Sequence, residues 1–483
     1  MRPPVKKFLC IAALLFPFAA LAANPRSIAI VVQDNGHAQI SETHDVPPPG
    51  PDGLLRISPL PETLLPSSVN PVPIERGETL EILSQRFSYD LHDDASLFRA
   101  YRNDTVVCRQ GADSFAGVLV SPPDFSGATP SLLIATENEP IHFVPDLMKL
   151  DSIEFPPRPN LARAPTLTWQ TPTAQTPPAA VQLHYAVSNI SWSASHEAIL
   201  ADNSRSISLS TRAQIQNRTG RDFPNARIRL ALTDKGQFTP LVPNASDPRA
   251  ATPPTLRYSP DGKSWIPERS AASSAIVATY DLPRPLSLPA DADVRAELFS
   301  SPALPVETRY VYDGVRFDRY QRNRRTDSNL GIEFAPVVET RLILKNGKSA
   351  DLPPGEFRLL RGQADGALEW IGSDWLPPLK RNESATLNLG PAAGLSGRRI
   401  RTAFTEVVPL KVTEESFEIT LENQTASDQT ISVVEHLYRG ENHEIAAAST
   451  EHSPGPDPHS IQFEVPVKAG TVQSFTYTAR YTW

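Results

Sequence analysis

Between residues 181 and 233, apolar and polar side chains alternate in successive short runs. Val181, Leu183, Tyr185 and Val187 form one run, Ile207 and Leu209 a second, and Ile228, Leu230 and Leu232 a third. Period-two alternation predicts strands with one face on a core and the other in water. Asn217-Arg218-Thr219-Gly220-Arg221-Asp222-Phe223-Pro224, between the last two runs, has the Asn, Gly, Asp and Pro of a strand-to-strand connection. The same period predicts strands over 27–32 and 37–43, which flank Asp34-Asn35-Gly36, a strong hairpin signal. Further strands are predicted over 54–57, 79–87, 105–109, 115–120, 131–135, 141–144 and 150–155. The later ones fall at 275–282, 294–298, 306–313, 333–346, 356–361, 367–371, 416–422, 430–435 and the closing aromatic run to Trp483. The best helical stretch is 93–101, with an acidic N-cap and Leu97, Phe98 and Tyr101 on one face.

These elements predict an all-β fold with a minor helix: a multi-domain β-sandwich architecture of antiparallel strands. Two proline-rich interruptions, Pro156-Pro157-Arg158-Pro159 and 172–178, mark a boundary held by semi-rigid connectors. The expected organisation is an export signal at 1–22, an N-terminal β domain with one short helix at 23–158, and a region at 179–483. That last region is expected to hold one or two sandwich modules, dividing near 330–400. From 235 to about 255 the chain lacks periodicity and reads as a long loop. The order strand, Asn-x-Thr, polar loop, strand at 211–230 returns at 416–435, a weak internal repeat.

Composition sharpens this picture at two points. Proline supplies 49 of 483 residues, about twice ordinary usage, which favours edges and connections over long helices. The N-terminus carries Arg2, Lys6 and Lys7, an apolar run over 8–21 broken by Pro17, and the small-residue site Ala20-Leu21-Ala22. That is the pattern of a secretory signal cleaved after Ala22; the run is too short for a membrane anchor, and no transmembrane segment is expected after cleavage. Its Ala-rich style is bacterial, which places the mature protein in the periplasm or outside the cell. Cys10 lies too deep in the run for lipoprotein processing. Removing 1–22 takes away three cations and no acid, so the net charge moves from −8 to −11. An acidic balance disfavours nucleic acid as a partner. The one cysteine left, Cys108, sits among valines and reads as a buried, inert thiol.

The stretch from Tyr185 to Trp192, followed by a strand and Asn217-Arg218-Thr219-Gly220, resembles an exported family catalogued only as a domain of unknown function, whose better-known relatives are mucoidy-inhibitor-A-like proteins. The similarity extends to Asn35-Gly36, Leu352-Pro353-Pro354-Gly355-Glu356-Phe357-Arg358-Leu359, Asp365-Gly366, Leu387-Asn388-Leu389-Gly390, the run 417–422 with Asn423, and 477–483. In the family an acidic residue and Asp-Trp follow Thr-Gly, where this chain has Arg221-Asp222-Phe223. The resemblance implies an exported, β-rich protein and carries no reaction.

Reactive constellations are missing from the sequence. Ten histidines occur without HExxH, CxxC or His-x-His spacing, so neither a metal nor another cofactor is expected. His184 and His196 lie in the central block, where converging ligands compete with ordinary hydrogen-bonded histidines. There is no G-x-S-x-G elbow, no phosphate-binding glycine loop and no EF-hand loop. The pairs Asp93-Asp94, Glu414-Glu415 and Asp291/Asp293 admit a glycosidase only if two carboxylates face each other across a cleft. Arginines around Phe317 and Tyr320 at 313–325 read as a solvated hairpin on an acidic chain. The closing alternation Phe475, Tyr477, Ala479, Tyr481, Trp483 reads as a sandwich strand, since a membrane barrel would need long alternating strands throughout. The expectation is therefore a binding or assembly module of the cell envelope, leaning away from catalysis, with an envelope protein or glycan as partner. A hydrolase with carboxylates gathered from distant strands is the alternative. The candidate interaction surface is Asn217, Arg218, Thr219, Asp222 and Phe223 together with Trp192, which also fits a core position.

Overall fold

The computed structural model describes residues 25–233, 276–315 and 327–483 apart from short stretches at 122, 124, 126–129, 136–141, 159–160, 174–175, 348–349, 364 and 441, plus the strand pair Leu256–Tyr258 and Trp265–Pro267. The export signal read at 1–22, the loop read at 235–255 and most of the arginine-rich stretch 313–325 lie outside the described residues. Among the described residues strand accounts for 61% and helix for 3%, so the fold is all-β with a minor helix. The chain forms two compact units, Met1–Trp192 with Ile215–Val294, and Ser193–Gln214 with Arg295–Trp483.

In the first unit, the Asn35-Gly36 turn joins strands Ser27–Gln33 and His37–Asp45. His37–Asp45 pairs antiparallel with Ala180–Ser188, placing Ile40 opposite Tyr185. Ser27–Gln33 pairs in parallel with Phe223–Thr233, placing Ile30 opposite Ile228. Ile276–Asp281 adds to the far side of Phe223–Thr233. Alternation holds in each strand: Ile28, Ile30, Val32, Ala38 and Ile40 are buried while their neighbours face outward. The helix Asp94–Ala100 starts as predicted, its N-cap Asp93 accepting from the Ser96 N–H at 2.7 Å. It lays Phe98 over a sheet of strands such as Thr105–Gln110 and Asp113–Ser121, in a core with Tyr101, Val106, Leu119 and Cys108. Burial pushes the Cys108 thiol up to about 11, so it stays protonated and unreactive.

The second unit holds two cores. Seven strands, Leu368–Leu376, Gly355–Gly362, Ile190–Leu200, Ser206–Asn217, Ala292–Tyr312, Val337–Lys345 and Ser384–Val408, follow one another in a single sheet. Within the unit that sheet curls around Leu209, Leu342, Phe357, Leu359, Leu376 and Leu387 until its first strand meets its last. Beyond it, Ser384–Val408 continues into a sandwich with Val412–Asn423 and Thr471–Thr482 on one side and Gln429–His436 and Ser460–Val467 on the other. Phe417 stacks on Tyr477 at 5.4 Å and Phe463 lies 4.7 Å from Phe475, in a core where each fully buried aromatic contributes about 1.5–3 kcal/mol.

Two departures from the expected elements have physical causes. The separate strands expected at 294–298 and 306–313 are one strand, Ala292–Tyr312. Pro302 and Pro305 lie inside it, and the ladder to Val337–Lys345 begins at Val306, immediately after the second proline, so no ladder bond to that partner is lost. The 25-residue strand Ser384–Val408 keeps its alternation only in parts, and register shifts interrupt its pairing on both sides.

Candidate binding site

The connection after strand Ser206–Asn217 is a hydrogen-bonded plug. Asn217 is fully buried; its Nδ2 donates to the carbonyls of Arg221 at 2.8 Å and Pro289 at 2.9 Å, and its Oδ1 accepts from the Thr219 hydroxyl at 2.8 Å. Asn423 repeats this in the second unit, donating to Ser427 and Val467 carbonyls and accepting from the Thr425 hydroxyl at 2.7 Å. Asn346 does the same toward the carbonyls of Ala350 and Leu379. The echo legible in sequence is thus a recurrent corner, in which one side-chain amide closes a strand end against a neighbour. Of the six expected surface residues, Asn217, Thr219, Phe223 and Trp192 are buried, and the Trp192 indole donates to the Ala231 carbonyl at 2.9 Å. Only Arg218 and Asp222 face solvent. Arg218 pairs with Asp293, and Asp222 accepts from the Ala290 N–H at 2.7 Å.

Several charges are buried as networks, and of these Glu42, His44, Arg399, Glu435 and Arg439 carried no mark in the sequence. In the first unit, one oxygen of the fully buried Glu42 accepts from Tyr185 and Arg221 and bonds His44, each at 2.9 Å. Burial pushes the Glu42 carboxyl up, yet His44 and Arg221 outweigh it and hold the group below the usual range. In the second unit, Arg399 donates to Glu435 at 2.8 Å and Arg439 to Glu415 at 2.7 Å, with all four side chains fully buried. Each of these three carboxylates is neutralised by arginine inside a core. None lines either surface depression described below. His184 bonds the Ser41 hydroxyl at 2.8 Å, while His196 bonds Thr211 and the Pro353 carbonyl, each at 2.9 Å. Because a carbonyl only accepts, Nε2 of His196 carries the proton and Nδ1 accepts from Thr211. Burial lowers its pKa to about 4. Among the described residues no three His, Cys, Asp or Glu side chains group as metal ligands.

The outward positions of the first-unit sheet form the better candidate. Register sets His184 opposite Ser41, Ser41 opposite Ala29 and Ala29 opposite Arg227, one polar row with a small residue at its centre. The next row runs Gln39, Val31, Arg229, Asp281. Where Ala29 and Ser41 leave room, the segment 281–285 forms a rim, and a depression of about 490 Å³ opens. Pro283 and Pro285 make its apolar wall. Arg229 is held by Asp281, with Nε donating at 2.7 Å. Arg227 and Arg284 also line it, and among the described residues neither forms an ion pair. The depression therefore presents two uncompensated guanidinium groups, a hydroxyl and an amide beside apolar walls. Guanidinium forks suit carboxylate or phosphate oxygens.

An all-β chain built of recurrent sandwich corners, with a few ion pairs buried in its cores and a cationic depression on one sheet, is the class that the fold and site define. The family model described as a domain of unknown function, DUF4139, matches residues 181–483, and the chain belongs to that family. The match takes in Arg227 and Arg284 but begins after the hairpin that supplies Ala29 and Ser41. No curated protein matches the chain.

Proposed function

We propose that the protein is a non-catalytic binding or assembly module of the cell envelope, exported by its N-terminal signal, and that its partner presents an anionic group to the Arg227–Arg284 depression. The carrying observation is that pair of uncompensated guanidinium groups over a floor of small residues, on a chain that is acidic overall. Export is supported by Arg2, Lys6, Lys7 and Ala20-Leu21-Ala22, and by the resemblance to mucoidy-inhibitor-A-like proteins. A binding rather than catalytic role is supported by the carboxylates: among the described residues that line the depression one is a carboxylate, Asp281, and Arg229 occupies it.

The test is photo-crosslinking in living cells from a benzophenone side chain placed at Gln39, with mass spectrometry of the adducts. The expected result is a specific envelope partner that disappears with Arg227→Ala/Arg284→Ala while the melting temperature holds. Recovery of nothing but the protein itself, or adducts indifferent to the double substitution, would overturn the reading.

A further inference from the structure

The strand Leu368–Leu376 in the second unit carries two of the most exposed large apolar side chains in the structure, Trp370 at 54% and Trp375 at 61%. In an unbroken strand, residues five apart point to opposite faces. Here the pairing with Gly355–Gly362 shifts between Leu359 and Leu360, leaving Ile371 without an opposite residue. The bulge turns the strand so that Trp370 stands opposite Leu360 and Trp375 opposite Glu356. Both rings consequently share the outer face, while Leu359 and Phe357 between those positions are buried in the core. Four strand steps separate the rings, about 13 Å at ~3.3 Å per residue.

The surface between the rings is polar and electrically closed. Ser373 stands opposite Arg358, and Arg358 grips Glu356 with two hydrogen bonds, at 2.8 and 2.7 Å. On the neighbouring strand Glu197 pairs with Arg212. Beside Trp370 a depression of about 510 Å³ is lined by Ser373, Asp374 and Asn388. We propose that this face binds a neutral polysaccharide, with Trp370 and Trp375 as stacking platforms for separate sugar rings and Ser373, Asp374 and Asn388 as hydrogen-bonding partners for hydroxyls.

Three observations choose that ligand. Aromatic faces are electron-rich and attract the axial C–H bonds of a pyranose ring, a contact that needs no charge on the polymer. Between the rings the charges are paired, and the further charge beside Trp370, Asp374, is negative, so nothing there selects an anion, in contrast to the depression at Arg227. A protein partner would use a continuous apolar patch or add a strand. Here the rings are separated by ion pairs, and the strand edge is closed. Asp374 accepts from the Asn388 N–H at 2.6 Å, and a Cβ on Gly372 would lie 2.2 Å from the Leu389 carbonyl oxygen.

The experiment is affinity electrophoresis of the full chain in gels containing hydroxyethylcellulose, galactomannan, mannan or dextran, with alginate and polygalacturonate as anionic comparisons. Retardation is expected in at least one neutral gel, weakened tenfold or more by Trp370→Ala or Trp375→Ala, restored in part by Trp375→Phe, and unaffected by Arg227→Ala/Arg284→Ala. Unchanged melting temperatures confirm that the variants fold. Free migration in every neutral gel, or retardation that survives loss of both tryptophans, overturns the proposal. Retardation only by the anionic polymers, abolished by the arginine substitutions, also overturns it and leaves the first-unit reading standing.

Discussion

Single residues here divide into those that close the structure and those that merely cover it. Asn217 satisfies its neighbours' carbonyls inside the protein, whereas the exposed Arg218 pairs with an exposed Asp293. Asn217→Ala is expected to cost about 2–4 kcal/mol, because the groups it leaves unpaired are buried. Arg218→Ala is expected to cost under about 1 kcal/mol, as for other exposed pairs. Urea unfolding of the two variants separates these roles; equal losses would contradict them. His196 adds a pH dependence with a definite sign. Its pKa falls from 6.5 in the unfolded chain to about 4 when buried, so between those values the unfolded state takes up the proton first. Stability is therefore lost as pH drops from 6.5 to 4, by about 3 kcal/mol. His436 runs the other way: its hydrogen bond to Asp313 raises its pKa, so its contribution is present at low pH and lost as pH rises through the raised value. The comparison that isolates His196 is the slope of unfolding free energy against pH in the wild type and in His196→Gln, which is expected to be flatter over that window.

At the scale of elements, buried ion pairs pin strands across a core. Arg399 lies on Ser384–Val408 and Glu435 on Gln429–His436, and Tyr477 of Thr471–Thr482 also donates to Glu435. Arg399→Leu alone strands a buried carboxylate and is expected to cost about 3–5 kcal/mol, while Arg399→Leu/Glu435→Leu recovers much of the loss. A double-mutant cycle measures this, and additivity would mean that the pair is not coupled. Another close fit joins Ile190–Leu200 to Gly355–Gly362, where a Cβ on Gly355 would lie 2.3 Å from the Ala194 carbonyl oxygen. That approach, with the His196 bond to Pro353, explains physically the Leu352-Pro353-Pro354-Gly355 stretch that the sequence singled out.

For the molecule, the main consequence is that the family match begins inside a sheet. Strands Ala180–Ser188 and Phe223–Thr233 each pair with a strand of the hairpin at 27–45. A fragment spanning 181–483 leaves those edges unpaired and uncovers apolar side chains such as Tyr185 and Ile228. It is expected to aggregate or remain partly unfolded in size-exclusion chromatography and circular dichroism, whereas a chain beginning near residue 25 is monodisperse. A fragment as well folded as the longer chain would show that the hairpin is dispensable.

What the sequence by itself determined is the local order: alternation marked most strands, Asp93 marked the helix start, Asn35-Gly36 marked the hairpin, and the Asn-x-Thr echo marked a corner that does recur. Each of these is set by neighbours a few residues away, which is the range over which side-chain period and turn chemistry act. Tertiary structure alone decided the rest. The site at Arg227 exists because Ser27–Gln33 pairs in parallel with Phe223–Thr233, a partnership between segments far apart in the chain that alternation cannot specify. Glu42 and Arg221 became partners by the same folding, and a single bulge at Ile371 set Trp370 and Trp375 on one face. Period two states that a residue points outward; only the register of strands brought together from afar states what stands beside it.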